Sequence, residues 1–92
     1  MREKEVEKQL ITDVKKRGGV CVKWASGWNG APDRLVFLPD GKFGMVEVKA
    51  PGNKPRPLQA SRHQKLRNLG QKVFVLDNTE QIGGILDEIQ TT

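Results

Sequence analysis

The chain has 92 residues, a formal net charge of +5 and a pI of about 9.7. That length predicts one small domain, residues 1–92, with a modest core. The only cysteine, Cys21, excludes an internal disulfide and a cysteine-rich zinc site. No apolar run is long enough to cross a membrane and the charged start has no signal-peptide pattern, so a reducing cytoplasmic setting is expected.

Residues 2–17 predict a helix, because Val6, Leu10, Ile11 and Val14 recur at helical spacing. Acids gather early (Glu3, Glu5, Glu7) and bases late (Lys15, Lys16, Arg17), which complements the helix dipole. Gly18-Gly19 supplies the stop. Residues 20–24 predict a short strand holding Cys21, and residues 25–30 a glycine-rich loop. A second strand follows at 34–38, a tight turn at Pro39-Asp40-Gly41-Lys42, and a third strand at 43–49. Three prolines and a glycine make residues 50–57 neither helix nor central strand. Residues 58–69 predict a helix with a thin apolar face of Leu58, Leu66 and Leu69. Val73-Phe74-Val75-Leu76 predicts a sheet-interior strand. Asn78 or Thr79 can cap a last helix that turns Ile82, Ile85, Leu86 and Ile89 inward, weakened at its start by Gly83-Gly84. Three strands in an antiparallel meander, then a crossover helix and a strand parallel to the third, predict an α/β fold in the order αβββαβα. Its four-stranded mixed sheet is flanked by helices.

The chemistry concentrates around Met45-Val46-Glu47-Val48-Lys49. Strand alternation puts Glu47 and Lys49 on one face and Val46 and Val48 on the other. Asp33 stands at the start of the second strand, roughly opposite Glu47 across the hairpin. Two carboxylates at close range are costly unless a cation sits between them, and hard divalent cations prefer carboxylate oxygen. Read alone, Asp33 is equally a turn residue after proline, Glu47 an exposed strand carboxylate and Lys49 a strand-end lysine. Glu7 lies beside the apolar stripe of the first helix, where it serves either the helix dipole or a metal site at the sheet end. Gln59 opens the second helix, with His63 one turn later as a phosphate contact. Trp28, in the glycine-rich loop, either stacks on a base or covers a small core. From Ala50 to Leu76 there is no acid, while Lys54, Arg56, Arg62, Lys65, Arg67 and Lys72 are basic. Such a stretch is either a solvated face or a phosphate-contacting surface. No nucleophile–base spacing supports covalent catalysis.

The ordered set weighs more than any one motif. Glu7 in a first helix, Gly30-Ala31-Pro32-Asp33 entering a strand, Glu47-Val48-Lys49 closing a hairpin and Pro57-Leu58-Gln59 opening a helix together resemble the PD-(D/E)XK nuclease superfamily. The closest likeness within it is to the VRR-NUC (virus-type replication-repair nuclease) branch, in its compact stand-alone phage and bacterial form. The resemblance implies a restriction-endonuclease-like core and Mg²⁺- or Mn²⁺-dependent hydrolysis of DNA. It implies that Asp33, Glu47 and the Val48 backbone carbonyl bind the metal, with Glu7 supporting it directly or through water. Lys49 would activate the attacking water, and Gln59 would steady that water or the phosphate. Lys54, Arg56, Arg62, His63, Lys65, Arg67 and Trp28 would contact DNA. Stand-alone members are similar to Holliday junction resolvases, which implies a homodimer on branched DNA in a bacterial or phage-infected host cytoplasm. The alternatives are a flap- or end-processing nuclease, or a non-catalytic nucleic-acid-binding module on the same fold.

Overall fold

The computed structural model describes residues 1–91. Helix α1 (Glu3–Lys16) leads into strands β1 (Val20–Lys23), β2 (Arg34–Leu38) and β3 (Lys42–Val48). Helix α2 (Pro57–Asn68), strand β4 (Val73–Leu76), a short 3₁₀ turn (Thr79–Gln81) and helix α3 (Ile82–Gln90) complete the order. The sheet runs β1-β2-β3-β4, with the first three strands antiparallel and β4 parallel to β3. This is the predicted mixed sheet, and the element boundaries shift by one or two residues except at the last helix.

Both short helix-to-strand connections begin with a firm helix stop. At the end of α1, Gly18 N–H donates to Lys15 O and Gly19 N–H to Val14 O, each at 3.0 Å. The same pair of bonds recurs at Gly70 and Gln71 after α2. Both are Schellman caps, which satisfy carbonyls that the helix leaves open.

The sheet divides two apolar clusters. On one face α1 contributes Val6, Leu10 and Val14, and α3 contributes Ile82, Ile85, Leu86 and Ile89. These pack on Val36, Leu38, Val46, Val48 and Leu76. Each fully buried Val, Leu or Ile here is worth about 1.5–3 kcal/mol of transfer free energy. The other face is thinner: Met45, Leu66 and Val73 are buried, with Trp24, Trp28, Leu35 and Phe43 packed around them.

Helix α2 covers that thinner face differently from the prediction. Leu58 is 46% and Leu69 70% exposed, so neither belongs to the inward stripe. The residues turned inward are Gln59, His63 and Leu66, at helical spacing. Two of the three are polar because they face the side chains described next. The last helix also starts later than expected. Asn78 Oδ1 accepts from Glu80 N–H at 3.0 Å and so caps the 3₁₀ turn, with α3 proper beginning at Ile82. Among the described residues no helix is long and apolar enough to cross a membrane.

Candidate active site

Register brings the two acids together. Arg34 pairs with Val46, so Asp33 lies opposite Glu47 and Pro32 opposite Val48. Met45 and Lys49 donate their N–H groups to Lys72 O, just before β4, and to Leu76 O at its end, each at 2.8 Å. Alternation then turns the Val48 amide groups toward β2, where Pro32 has no N–H to offer. The Asp33 side chain takes up part of that gap: Val48 N–H donates to its Oδ2 at 2.8 Å. The proline-aspartate pair thus ends the β2–β3 ladder, seats one carboxylate on β3 and leaves the Val48 carbonyl facing a residue without a donor.

Glu47 is 1% exposed, on one of the two inner strands of the sheet. Three side chains address it. Lys49 Nζ lies 3.9 Å from Oε2, Gln59 Nε2 3.4 Å from the same oxygen, and His63 Nε2 3.3 Å from Oε1. Gln59 is itself oriented, since its Oε1 accepts from Arg56 N–H at 2.8 Å and its amide nitrogen is left for Glu47. Asp33 feels the acid beside it. Burial pushes its carboxyl up to about 6, against the pull of the Val48 N–H, and the charge of Glu47 and then of Glu3 add to the rise. Two partly desolvated carboxylates that converge on each other form a strong place for a cation.

The expected helix carboxylate has a partner of its own. Glu7 is not brought to this pair: its Oε2 is bound by Arg34 Nε and Nη2, each at 3.2 Å, on the α1 side of the sheet. Glu3, one turn earlier, is the α1 acid whose charge reaches Asp33. The sequence signal for it is the i, i+4 spacing, which puts Glu3 and Glu7 on one helix face with Glu3 nearer the open end. Among the described residues no group of three or more His, Cys, Asp or Glu side chains forms a ready-made metal cage. The arrangement is a two-carboxylate site beside a backbone carbonyl.

The expected DNA contacts separate into two sets. Lys54, Arg56 and Lys65 are exposed. Arg56 lines an open cleft of ≈ 280 Å³ with Asn29, Gly30, Leu58 and Gln59, the last of which reaches Glu47. Arg62 stacks its guanidinium 4.7 Å from the Trp28 ring and donates to Asn29 O at 2.9 Å. Trp28 is half-buried, so it belongs to the smaller core as well as to this wall. The loop lies so close to α2 that a Cβ on Gly30 would come within 3.0 Å of Leu58 O. Two of the expected contacts have partners within the protein. His63 is 1% exposed and points at Glu47, so it is no phosphate contact. Arg67 Nε and Nη2 donate to Val73 O at 3.2 and 2.9 Å, closing a carbonyl that faces away from β3 on the edge strand.

A mixed four-stranded sheet with α1 and α3 on one face and α2 on the other, and paired acids closing its central hairpin, defines a restriction-endonuclease-like α/β fold. A solved structure described as a VRR_NUC domain matches it with a TM-score of 0.84 at 32% identity, over 95% of this chain and 97% of that one. The chain belongs to the VRR-NUC nuclease family. Among curated proteins, "Putative nuclease p44" of Acyrthosiphon pisum secondary endosymbiont phage 1 is 49% identical over 81 residues, 87% of each chain. No family model matches the sequence.

Proposed function

We propose that this protein is a metal-dependent, structure-specific DNA endonuclease. It hydrolyses phosphodiester bonds in branched DNA, resolving four-way Holliday junctions as a homodimer in a bacterial or phage-infected cytoplasm. The observation that carries the reading is the convergence of Asp33 and Glu47 at the end of the β2–β3 hairpin, with Lys49 Nζ 3.9 Å from Glu47. The name of the curated phage relative and the family likeness support the nuclease class. The family likeness also supports a dimer on branched DNA. Exposed Val20, Val22 and Phe37 on β1 and β2 are apolar surface in keeping with a second copy.

The donor set suits Mg²⁺ or Mn²⁺. All the candidate ligands are oxygens: the carboxylates of Asp33 and Glu47 and the Val48 carbonyl. A small hard cation is commonly held by one or two carboxylates, with waters and substrate phosphate completing its shell. When bound, such an ion polarises the phosphate and acidifies water. Lys49 would hold the attacking water in line and offset charge developing on the phosphate oxygens. Lys54, Arg56, Arg62 and Lys65 would hold the DNA backbone without reading sequence.

The test is cleavage of a labelled four-way junction, with flap and linear duplexes cut in parallel, with and without Mg²⁺. Lys49→Ala and Glu47→Ala are expected to lose cleavage by about 10²–10³-fold or more while still binding the junction. Full cleavage by either variant would sink the assignment. Preference for flaps or ends would move the substrate, and no cleavage of any DNA would leave a binding module.

A further inference from the structure

We infer that His63 is a positioning residue for the metal-binding carboxylate, its imidazole Nε2–H holding Glu47 Oε1 from within the protein. The inference rests on the nuclease reading and assigns a role to a side chain that cannot touch DNA. Both residues are 1% exposed, so neither water nor a phosphate reaches the contact. The separation is 3.3 Å. A carboxylate that binds a metal only accepts hydrogen bonds, so on this reading the nitrogen facing it is the donor. Gln59 and His63 stand four residues apart on the inward face of α2 and address different oxygens of Glu47. The helix therefore grips the carboxylate at two points and stops it rotating about its last bond. Oε2 is kept on the side where Lys49 stands. Partners that fix a ligand from behind commonly govern metal affinity by about 10–100-fold.

The grip can be separated from simple packing. Leu fills much of the imidazole volume but offers no donor. Gln places an amide nitrogen close to the position of Nε2 and restores one. Wild type, His63→Leu, His63→Gln and Glu47→Ala would be titrated with Mn²⁺ by calorimetry, melted in metal-free buffer, and compared by ¹⁵N NMR of the imidazole without metal. In metal-free wild type, Nε2 is expected to carry a hydrogen-bonded proton whose signal is lost in Glu47→Ala. His63→Leu is expected to bind Mn²⁺ about 10–100-fold more weakly, and His63→Gln to recover most of that loss. An unprotonated Nε2 in metal-free wild type overturns the proposal, and so does a folded His63→Leu that binds Mn²⁺ as tightly as wild type. Should His63→Leu fail to fold, the imidazole signal and the Gln variant still decide. If wild type binds no Mn²⁺ and Glu47→Ala changes nothing, the nuclease reading falls, and the imidazole signal alone then decides whether His63 holds Glu47.

Discussion

Asp33 sits under opposing influences that make it a reporter of its own site. Burial and the neighbouring acids raise its carboxyl from 3.8 to about 6, while the Val48 N–H resists. A folded value above the unfolded one means that the native state takes up the proton more readily. The stabilising share of this group is therefore complete below pH 3.8 and lost as pH rises through about 6. In EDTA, wild type should melt higher near pH 5 than at about pH 7.5 relative to Asp33→Asn, whose amide keeps an oxygen for Val48 N–H. At the higher pH the variant should be the more stable, and added Mn²⁺ should raise the melting temperature of wild type alone. Parallel pH profiles of the two proteins would remove Asp33 as the cause. The pairing of Asp33 with Glu47 was legible in the sequence, because hairpin register is arithmetic once the turn at Asp40-Gly41 is recognised. The contact of His63 with Glu47 was not, since one histidine in a basic stretch gives no sign of which way its helix turns it. The Arg34 partner of Glu7 was hidden for a related reason. Helical spacing offers two acids on one face, and only the position of Arg34 decides which is taken away. Cys21 reads the same at both levels: burial pushes its thiol up to about 11, leaving a protonated, unreactive strand residue.

Helix α2 shows how inward polar residues erase a structural signal. A helix on a sheet ordinarily announces itself by an apolar stripe. Here the stripe is Gln59, His63 and Leu66, so the apolar pattern points to Leu58 and Leu69, which face solvent. Its existence was still readable from its ends, Pro57 at the first turn and Gly70 beyond the last. Helix α3 is the opposite case. Its stripe of Ile82, Ile85, Leu86 and Ile89 is fully legible, and it forms despite Gly83-Gly84 because burial outweighs propensity. Nothing lies within 4 Å of a Cβ built on either glycine. Gly83→Ala and Gly84→Ala should each stabilise the protein by about 0.5–1 kcal/mol. Urea titration would show this as a higher midpoint at unchanged slope, and a lowered midpoint would mean that the glycines serve a contact.

The positive charge is unevenly available across the molecule. Composition alone assigns every base of the acid-free stretch to one surface, but Lys72 Nζ donates to Glu88 O at 2.6 Å and also to Thr91 O, holding the end of α3. Arg67 is likewise bound to Val73 O. Long-range pairings of this kind depend on where the chain folds back, which local pattern does not reveal. The Lys54→Ala, Lys65→Ala double variant should therefore reduce the salt dependence of DNA binding by about 0.9 log units per lost contact. Lys72→Ala should lower the melting temperature and leave the salt slope alone. Fluorescence anisotropy across a salt series reads both, and equal slopes in all three proteins would move the DNA elsewhere. The parallel pairing of β3 with β4 has a further consequence in time. A ribosome delivers Asp33, Glu47 and Lys49 before it delivers residues 73–76, the strand that flanks Glu47. A parallel pair closes only after its crossover is made. The buried setting of Glu47 is thus completed late, once α2 has folded across and β4 is in place.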